Sequence, residues 1–323
     1  MPHARTLLGS GVAIAALAAA PLVASQAMLS NAIFVCYYVV LAACWNLLAG
    51  YTGRYSLAQQ AFAVIGAYTT GLLCYYLGVP IWFGILAGTA VATAVGTFLG
   101  LVLLRVSGTY LALGTWTLAI CLQLTLSAAY EFTKGDNGLL VPTMYGQLSN
   151  LTPYYFTFVV IAGLCLGVIG LVLKSPIGSF LRAIRDDELR AATLGVNVTL
   201  WKTFAFGLTS MLSGLIGACF AHYVVVVVPA MAEFSELAKV IAMVLVGGMS
   251  TFWGPVAGAI LIGLGSIYLQ RYGQWDTVIY GVVVLIVMRF YRDGLLAMAG
   301  RGLQRVVDFF SSFRARGTAA GGR

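Results

Sequence analysis

Residues 6–53 read TLLGSGVAIAALAAAPLVASQAMLSNAIFVCYYVVLAACWNLLAGYTG, 48 positions without one Asp, Glu, Lys or Arg. A membrane-spanning helix needs about 20 consecutive apolar residues, so this stretch is too long for one crossing and suits two. Ser25-Gln26 offers the turn between them. Residues 55–104 repeat the pattern, with Leu77-Gly78-Val79-Pro80 as the turn, because Pro disfavours helix in the residue before it. Further spans are predicted over 109–129, 154–173 and 203–228. Three shorter, Gly-interrupted segments follow, 237–249, 254–269 and 277–288, as half-helices or tilted segments lining a cavity would be. The expectation is an all-α, polytopic helical bundle of about ten transmembrane helices, in the range of about 8–10.

Composition points the same way. Of 323 residues, 61% are hydrophobic and 9% charged, whereas a soluble domain carries about a quarter charged residues. A water-soluble globule is excluded. The 38 Gly and 8 Pro suit close helix packing, and no low-complexity linker divides the chain. One membrane domain is expected over 1–290, with a basic cytoplasmic tail over 291–323. In that tail Leu303, Val306, Val307, Phe310 and Phe313 recur at helical spacing; an amphipathic helix on the inner leaflet and a partly ordered basic tail are both open readings.

The net charge of +8 is explained by its placement. Summed over alternate loops, fifteen of the 18 Lys and Arg and five of the 10 Asp and Glu fall on one side, among them Arg54, Arg105, Lys174, Arg185, Lys202 and the C-terminal arginines. Lys134, Lys239 and Arg271 face five acids on the other. By the positive-inside rule both termini are cytoplasmic, and no nucleic acid is needed to account for the charge. Residues 7–24 admit a second reading as a signal peptide, since Arg5 precedes the apolar run and Val23-Ala24-Ser25 loosely resembles a cleavage site. Against it, the run is longer than a usual signal core.

The span cores are essentially neutral; Lys239 and Asp276 alone approach one, each near a helix end. A charge at a helix centre costs about 2.5–3.5 kcal/mol on insertion scales, so ion-driven pumps show the few that function demands. The phosphate loop G-x-x-x-x-G-K-[ST] is absent, as is any Ser-His-Asp, Cys-His or paired-carboxylate arrangement. An enzyme is not expected, no metal or cofactor is expected on the chain, and work done by it must draw energy from another subunit. The six cysteines lie in apolar runs where thiols act as small hydrophobes, and His3 and His222 have no second ligand nearby.

The longest polar loop, KSPIGSFLRAIRDDELRAATLGVNVTLWK over 174–202, reads as ordered. Ser175-Pro176 can start a helix and Gly195 end one. Arg182, Asp186 and Arg190, each four apart, can pair along its polar face. Two readings stand: a helix that docks into a groove on a partner, and a connector resting on the membrane surface.

The stretch from 175 to 221, centred on LRAIRDDELRAATLGVNVTLWKTFAF, closely resembles the LivM-like membrane subunits of branched-chain amino acid ABC importers. GYTGRYSLAQQAFAVIGAYTTGLL (50–73), SGTYLALGTWTLA (107–119), TKGDNGL (133–139) and VGGMSTFWGPVAGA (246–259) follow in the family's order. The resemblance implies a permease that moves Leu, Ile, Val or a similar amphipathic solute inward by alternating access. It also implies a cytoplasmic coupling helix around Asp186–Gly195, with Arg185, Asp186, Asp187, Glu188, Ala191, Ala192 and Gly195 seated in a cleft of an ATPase. Partners implied are a second, related permease, two ATP-binding subunits that carry ATP and Mg, and an extracytoplasmic solute-binding protein, around a bacterial inner membrane. Arg54, Tyr55, Gln59-Gln60 and Lys134 depart from the family pattern, which leaves the solute open to urea and short amides. The alternative class is a passive channel or facilitator for small neutral solutes, which also needs no intramembrane charge.

Uncharged polar residues within spans are the translocation candidates, because an unpaired amide or hydroxyl facing lipid is costly. These are Asn46, Gln59, Gln60, Tyr68, Thr69, Thr115, Thr117 and Gln123, each equally open to an interhelical hydrogen bond. Gly84-x-x-x-Gly88, Gly96-x-x-x-Gly100, Gly163-x-x-x-Gly167 and Gly254-x-x-x-Gly258 are expected to permit close helix approach. Gly247, Gly248, Gly254 and Pro255 flank short segments, where a broken helix is expected to bend into the cavity.

Overall fold

The computed structural model describes residues 25–103, 108–146 and 150–269, with Pro21 and Val282 as single positions. The expectations for the first span, the last segment and the tail, and with them the sidedness of the termini, lie outside these residues. Among the described residues the regular structure is helical save one two-residue ladder. Five helices among the described residues are long and apolar enough to cross a membrane: Gln26–Tyr51, Ile81–Val102, Thr109–Ala128, Thr152–Lys174 and Val198–Val224.

Helix α1 (Gln26–Asn46) starts at the expected turn, with Ser25 as N-cap accepting from the Met28 amide at 3.3 Å. It runs on into a π turn, Leu47–Tyr51. Helix α2 (Gln59–Leu77) ends at Gly78, whose φ of 61° is the left-handed conformation a glycine cap adopts. After Pro80 the chain enters α3 (Ile81–Leu103), and α4 (Thr109–Ala128) and α5 (Tyr130–Thr133) follow. Beyond α6 (Thr152–Lys174) come α7 (Pro176–Asp186) and α8 (Glu188–Thr193), then α9 (Val198–Val224), α10 (Phe234–Gly247) and α11 (Gly254–Leu269). Eight of the ten expected spans thus have a helix among the described residues.

The core is built on α9, which packs along α2 and α3, while α1 packs against α6, α9, α10 and α11. Small residues permit this. A Cβ on Gly66 or Gly217 would collide with the backbone of Gly214 or Ala63, and one on Gly88 would stand 2.6 Å from the carbonyl oxygen of Gly66. Lipid tails give apolar helices no hydrophobic reason to associate, so such close approach supplies the dispersion contact that holds them. Gly84, Gly88, Gly96, Gly254 and Gly258 each stand in close approach to a neighbouring segment, as expected. Gly163 and Gly167 do not: nothing lies within 4 Å of a Cβ at either, because they sit on the outward side of α6 with Val160 and Leu164.

Two segments depart from the sequence expectation. The polar loop is two helices rather than one, broken at Asp187, whose φ of −159° is extended. The expected pairs between Arg182, Asp186 and Arg190 are replaced: Arg182 donates to the Leu173 carbonyl oxygen at 3.4 Å, Asp186 meets Arg185, and Arg190, beyond the break, meets Asp187. Helix α9 also starts at Val198, which puts Lys202 inside its first turns and buries it to 2% exposure.

At the opposite end β1 (Leu139–Leu140) pairs antiparallel with β2 (Val226–Val227). His222 is fully buried beside it, its Nδ1 2.7 Å from the Pro142 carbonyl oxygen and its Nε2 2.9 Å from Thr70 Oγ1, and so joins α9 to α2 and to the segment after β1.

Candidate functional site

Three connected features stand out, beginning at the basic end. Asp187 caps α8, accepting from the amides of Leu189 and Arg190 at 3.0 Å each. The cap fixes the neighbouring Glu188 so that its two carboxylate oxygens bridge Arg54 and Lys202. Burial alone raises the Glu188 carboxyl, but the hydrogen bonds and charges of Lys202 and Arg54 outweigh it and hold the group below the usual carboxylate range. Arg185, at the end of α7, donates through Nη1 to the Gly50 carbonyl oxygen at 3.0 Å, and its Nη2 holds Asp186. Its side chain also lies over Gly53, where φ is 67° and a Cβ would come within 3.1 Å of Arg185 Cγ. Ala191 is buried against this assembly, whereas Ala192, Leu194 and Gly195 are exposed.

The second feature is the junction between α10 and α11. Gly247 packs directly on Gly254, and Gly258 on Met243, so the two short helices touch backbone to backbone. The turn between them is held by α1: Asn46 Oδ1 accepts from the Ser250 amide at 2.9 Å, and Asn46 Nδ2 donates to the Thr251 carbonyl oxygen at 2.9 Å. Ser250 Oγ donates to the Gly50 carbonyl oxygen, also at 2.9 Å. Gly50 lies in the π turn at the end of the helix, where the last carbonyls have no intrahelical donor and are free to accept from other segments. The chain that follows, residues 53–58, is non-helical. It is secured by Trp45 Nε1 to the Ser56 carbonyl oxygen and by the Leu57 amide to Thr115 Oγ1, each 2.9 Å.

The third feature is a cavity of about 540 Å³ between α1, α9 and α10 on the other half of the bundle. Gln60 lies on its lining, with Nε2 donating to Tyr37 Oη at 2.9 Å. Tyr38 Oη donates to Glu236 Oε2 at 2.6 Å, and Lys239 Nζ donates to Glu236 Oε1 at 2.8 Å. Phe220, Val224 and Met243 give the apolar wall.

The translocation candidates separate accordingly. Gln60 lines the cavity. Asn46 serves the junction. Gln59 is sealed within the bundle, its Nε2 donating to the Thr209 carbonyl oxygen at 3.2 Å and to Ser213. Tyr68 donates to the Val227 carbonyl oxygen at 3.3 Å, and Thr115 bonds back to its own helix. Thr69, Thr117 and Gln123 do not line the cavity, and Thr117 is exposed. Asn46, Gln59, Tyr68 and Thr115 thus make the hydrogen bonds within the bundle that the sequence left equally open, and Thr117 faces outward. Sequence reasoning missed Tyr37, Tyr38 and Glu236 and set Lys239 aside; the available signal was an i, i+3 Glu–Lys pair at the head of an otherwise apolar helix.

Residues 27–290 match the family model described as branched-chain amino acid transport system / permease component. The chain is 28% identical over 305 residues to the high-affinity branched-chain amino acid transport system permease protein LivM of Salmonella typhimurium, covering 86% of this chain and 72% of that protein. It is 28% identical over 315 residues to the LivM protein of Escherichia coli, with 89% and 74% covered. It is 24% identical over 249 residues to the fructose import permease protein FrcC of Rhizobium meliloti, with 73% and 69% covered. No solved structure matches the chain significantly. The matched stretch takes in the Arg185–Gly50 node, the α10–α11 junction and the cavity together, and the chain belongs to the branched-chain amino acid transport system / permease component family.

Proposed function

We propose that this chain is the membrane-spanning permease subunit of an ABC importer that moves Leu, Ile or Val inward by alternating access. Its energy comes from ATP and Mg bound on two partner ATPases. A second, related permease and an extracytoplasmic solute-binding protein complete the assembly. Helix α8 with its flanks, Arg185–Gly195, is the element the ATPase grips, and the α10–α11 junction is the hinge it moves.

The observation that carries this reading is the unbroken chain of contacts from exposed α8 to the broken-helix junction. Leu189 and Leu194 are 76% and 83% exposed, two large apolar side chains on a short capped helix, as a docking element presents. Behind them Glu188 and Arg185 tie the loop to Lys202, Arg54 and the Gly50 carbonyl oxygen, which Ser250 shares. A passive channel has no need of such a path. Reconstitution in liposomes with and without the ATPase tests the proposal: leucine should accumulate only when ATPase and ATP are both present. Accumulation by this chain without them overturns it.

A further inference from the structure

We infer that the cavity between α1, α9 and α10 is a binding site for the zwitterionic head of an α-amino acid. Glu236 and Gln60 receive the ammonium, and Lys239 receives the carboxylate. This rests on the transport reading above and adds to it where on the chain the solute binds and which charge state is selected.

Four observations converge. The first is the ion pair itself. Glu236 and Lys239 are 26% and 21% exposed on their side chains, on the lining of a cavity in a bundle whose spans are otherwise almost free of charge. Ionisable groups are expensive in such surroundings, and those retained mark ligand or ion pathways. The second is geometry. Lys239 Nζ and Glu236 Oε1 stand 2.8 Å apart, so an α-amino acid laid head to tail on the pair meets a cation with its carboxylate and an anion with its ammonium. Four alternating charges result, and no net charge enters the membrane interior.

The third is an unfilled acceptor. Gln60 is 3% exposed, its Nε2 is committed to Tyr37 Oη, and its Oε1 has no partner among the described residues. An ammonium has three N–H donors, more than one carboxylate commonly satisfies, and Gln60 is the uncharged acceptor on the same lining. Adjacent tyrosines set the two acceptors: Tyr37 holds Gln60 and Tyr38 holds Glu236. The fourth is the rest of the wall. Phe220, Val224 and Met243 offer aliphatic and aromatic surface to a branched side chain, and about 540 Å³ lies within the size range of small-ligand pockets. Glu233, also on the lining, makes the formal charge of the cavity negative and disfavours a solute that is only an anion.

The test is radiolabelled leucine binding to the full chain in nanodiscs, with two competitors that each lack one charge, leucinamide and 4-methylpentanoate, and one that lacks both, 4-methylpentanamide. Leucine should displace the label at concentrations at least about tenfold below any of the three, the discrimination one lost charged hydrogen bond gives. Lys239→Met and Glu236→Gln should each weaken leucine binding about tenfold or more, Gln60→Leu by a smaller factor, and Lys239→Arg should restore it to within about threefold of the native chain. Size-exclusion chromatography separates misfolded variants from binding defects, and the charge-keeping Lys239→Arg serves as the second variant. No leucine binding by the native chain, equal competition by the neutral amide, or unchanged affinity in Lys239→Met and Glu236→Gln overturns the site. An importer that takes up leucine normally with these variants keeps the transport reading and loses the site, whereas a native importer with ATPase and ATP that takes up no branched-chain amino acid refutes the transport reading itself.

Discussion

Arg185 and Ser250, 65 positions apart in sequence, donate to the same acceptor: Arg185 Nη1 at 3.0 Å and Ser250 Oγ at 2.9 Å both reach the carbonyl oxygen of Gly50. One belongs to the polar loop and the other to the turn between two short helices. The polar loop and the α10–α11 junction thus meet at a single backbone group, in the π turn that follows α1.

Arg185→Ala removes the loop's share of that acceptor. A hydrogen bond from a charged donor contributes about 1.5–3 kcal/mol, so leucine taken up per ATP hydrolysed should fall about tenfold while hydrolysis continues. Ser250→Ala, which loses a neutral donor, should give a smaller loss. Proteoliposomes with uptake and phosphate release measured together decide this, and an unchanged ratio in Arg185→Ala removes Gly50 from the route.

Asp187 caps α8 with both of its backbone hydrogen bonds at 3.0 Å. Asp187→Ala should cost about 1 kcal/mol of local helix stability and weaken association with the ATPase, while Asp187→Asn, an equally good cap, should not. Pull-down of the ATPase on the two variants distinguishes a cap from a charge contact; equal loss in both points to the charge.

The Glu188 carboxyl is held below its usual range, so its contribution to stability is complete above the ordinary carboxylate pKa of about 4.3 and is lost as pH falls through the lowered folded value. Thermal unfolding of the purified chain should accordingly be insensitive to this group between about pH 6 and 8 and weaken on acidification below about pH 4. Glu188→Gln should lower stability at neutral pH, since Lys202 is buried and loses its anion, and should flatten the acid limb. Glu188 is half exposed, which places the neutral-pH loss at the low end, about 1 kcal/mol.

Gly66→Ala forces a Cβ into the backbone of Gly214 and should destabilise the bundle by about 1–3 kcal/mol through overpacking. Gly163→Ala meets nothing within 4 Å and should change stability by less than about 0.5 kcal/mol. Melting temperatures in one detergent compare the two directly. Similar losses would mean that α6 makes a tight contact through Gly163 that a single chain does not reveal.

Much of this was legible in the residue string. The turns at Ser25 and at Gly78–Pro80 were visible because each combines a cap or a positive φ with a change of apolar run. The break at Asp187 was hidden because RAIRDDELRAA reads as one continuous helix; the second Asp acts as a cap, a choice made by tertiary pairing of Glu188 with Arg54 and Lys202. Lys202 looked like a loop charge for the same reason, its partner being remote from α9 in the pattern. The π turn left no mark in LLAGY. The cavity was out of reach because it joins side chains from residue 30 to residue 263, and spacing within one segment carries no information on that distance. Gly163-x-x-x-Gly167 shows the converse: the spacing marks a surface smooth enough for contact but not which surface meets it.

Helix α9 has no proline over its 27 residues and is about 40 Å long. It is clamped at both tips: Lys202 is fastened to Glu188 at the foot, and just past its last turn Val226–Val227 are laced to Leu139–Leu140. Neither end of α9 can therefore shift along the helix axis without loosening one of these two fastenings.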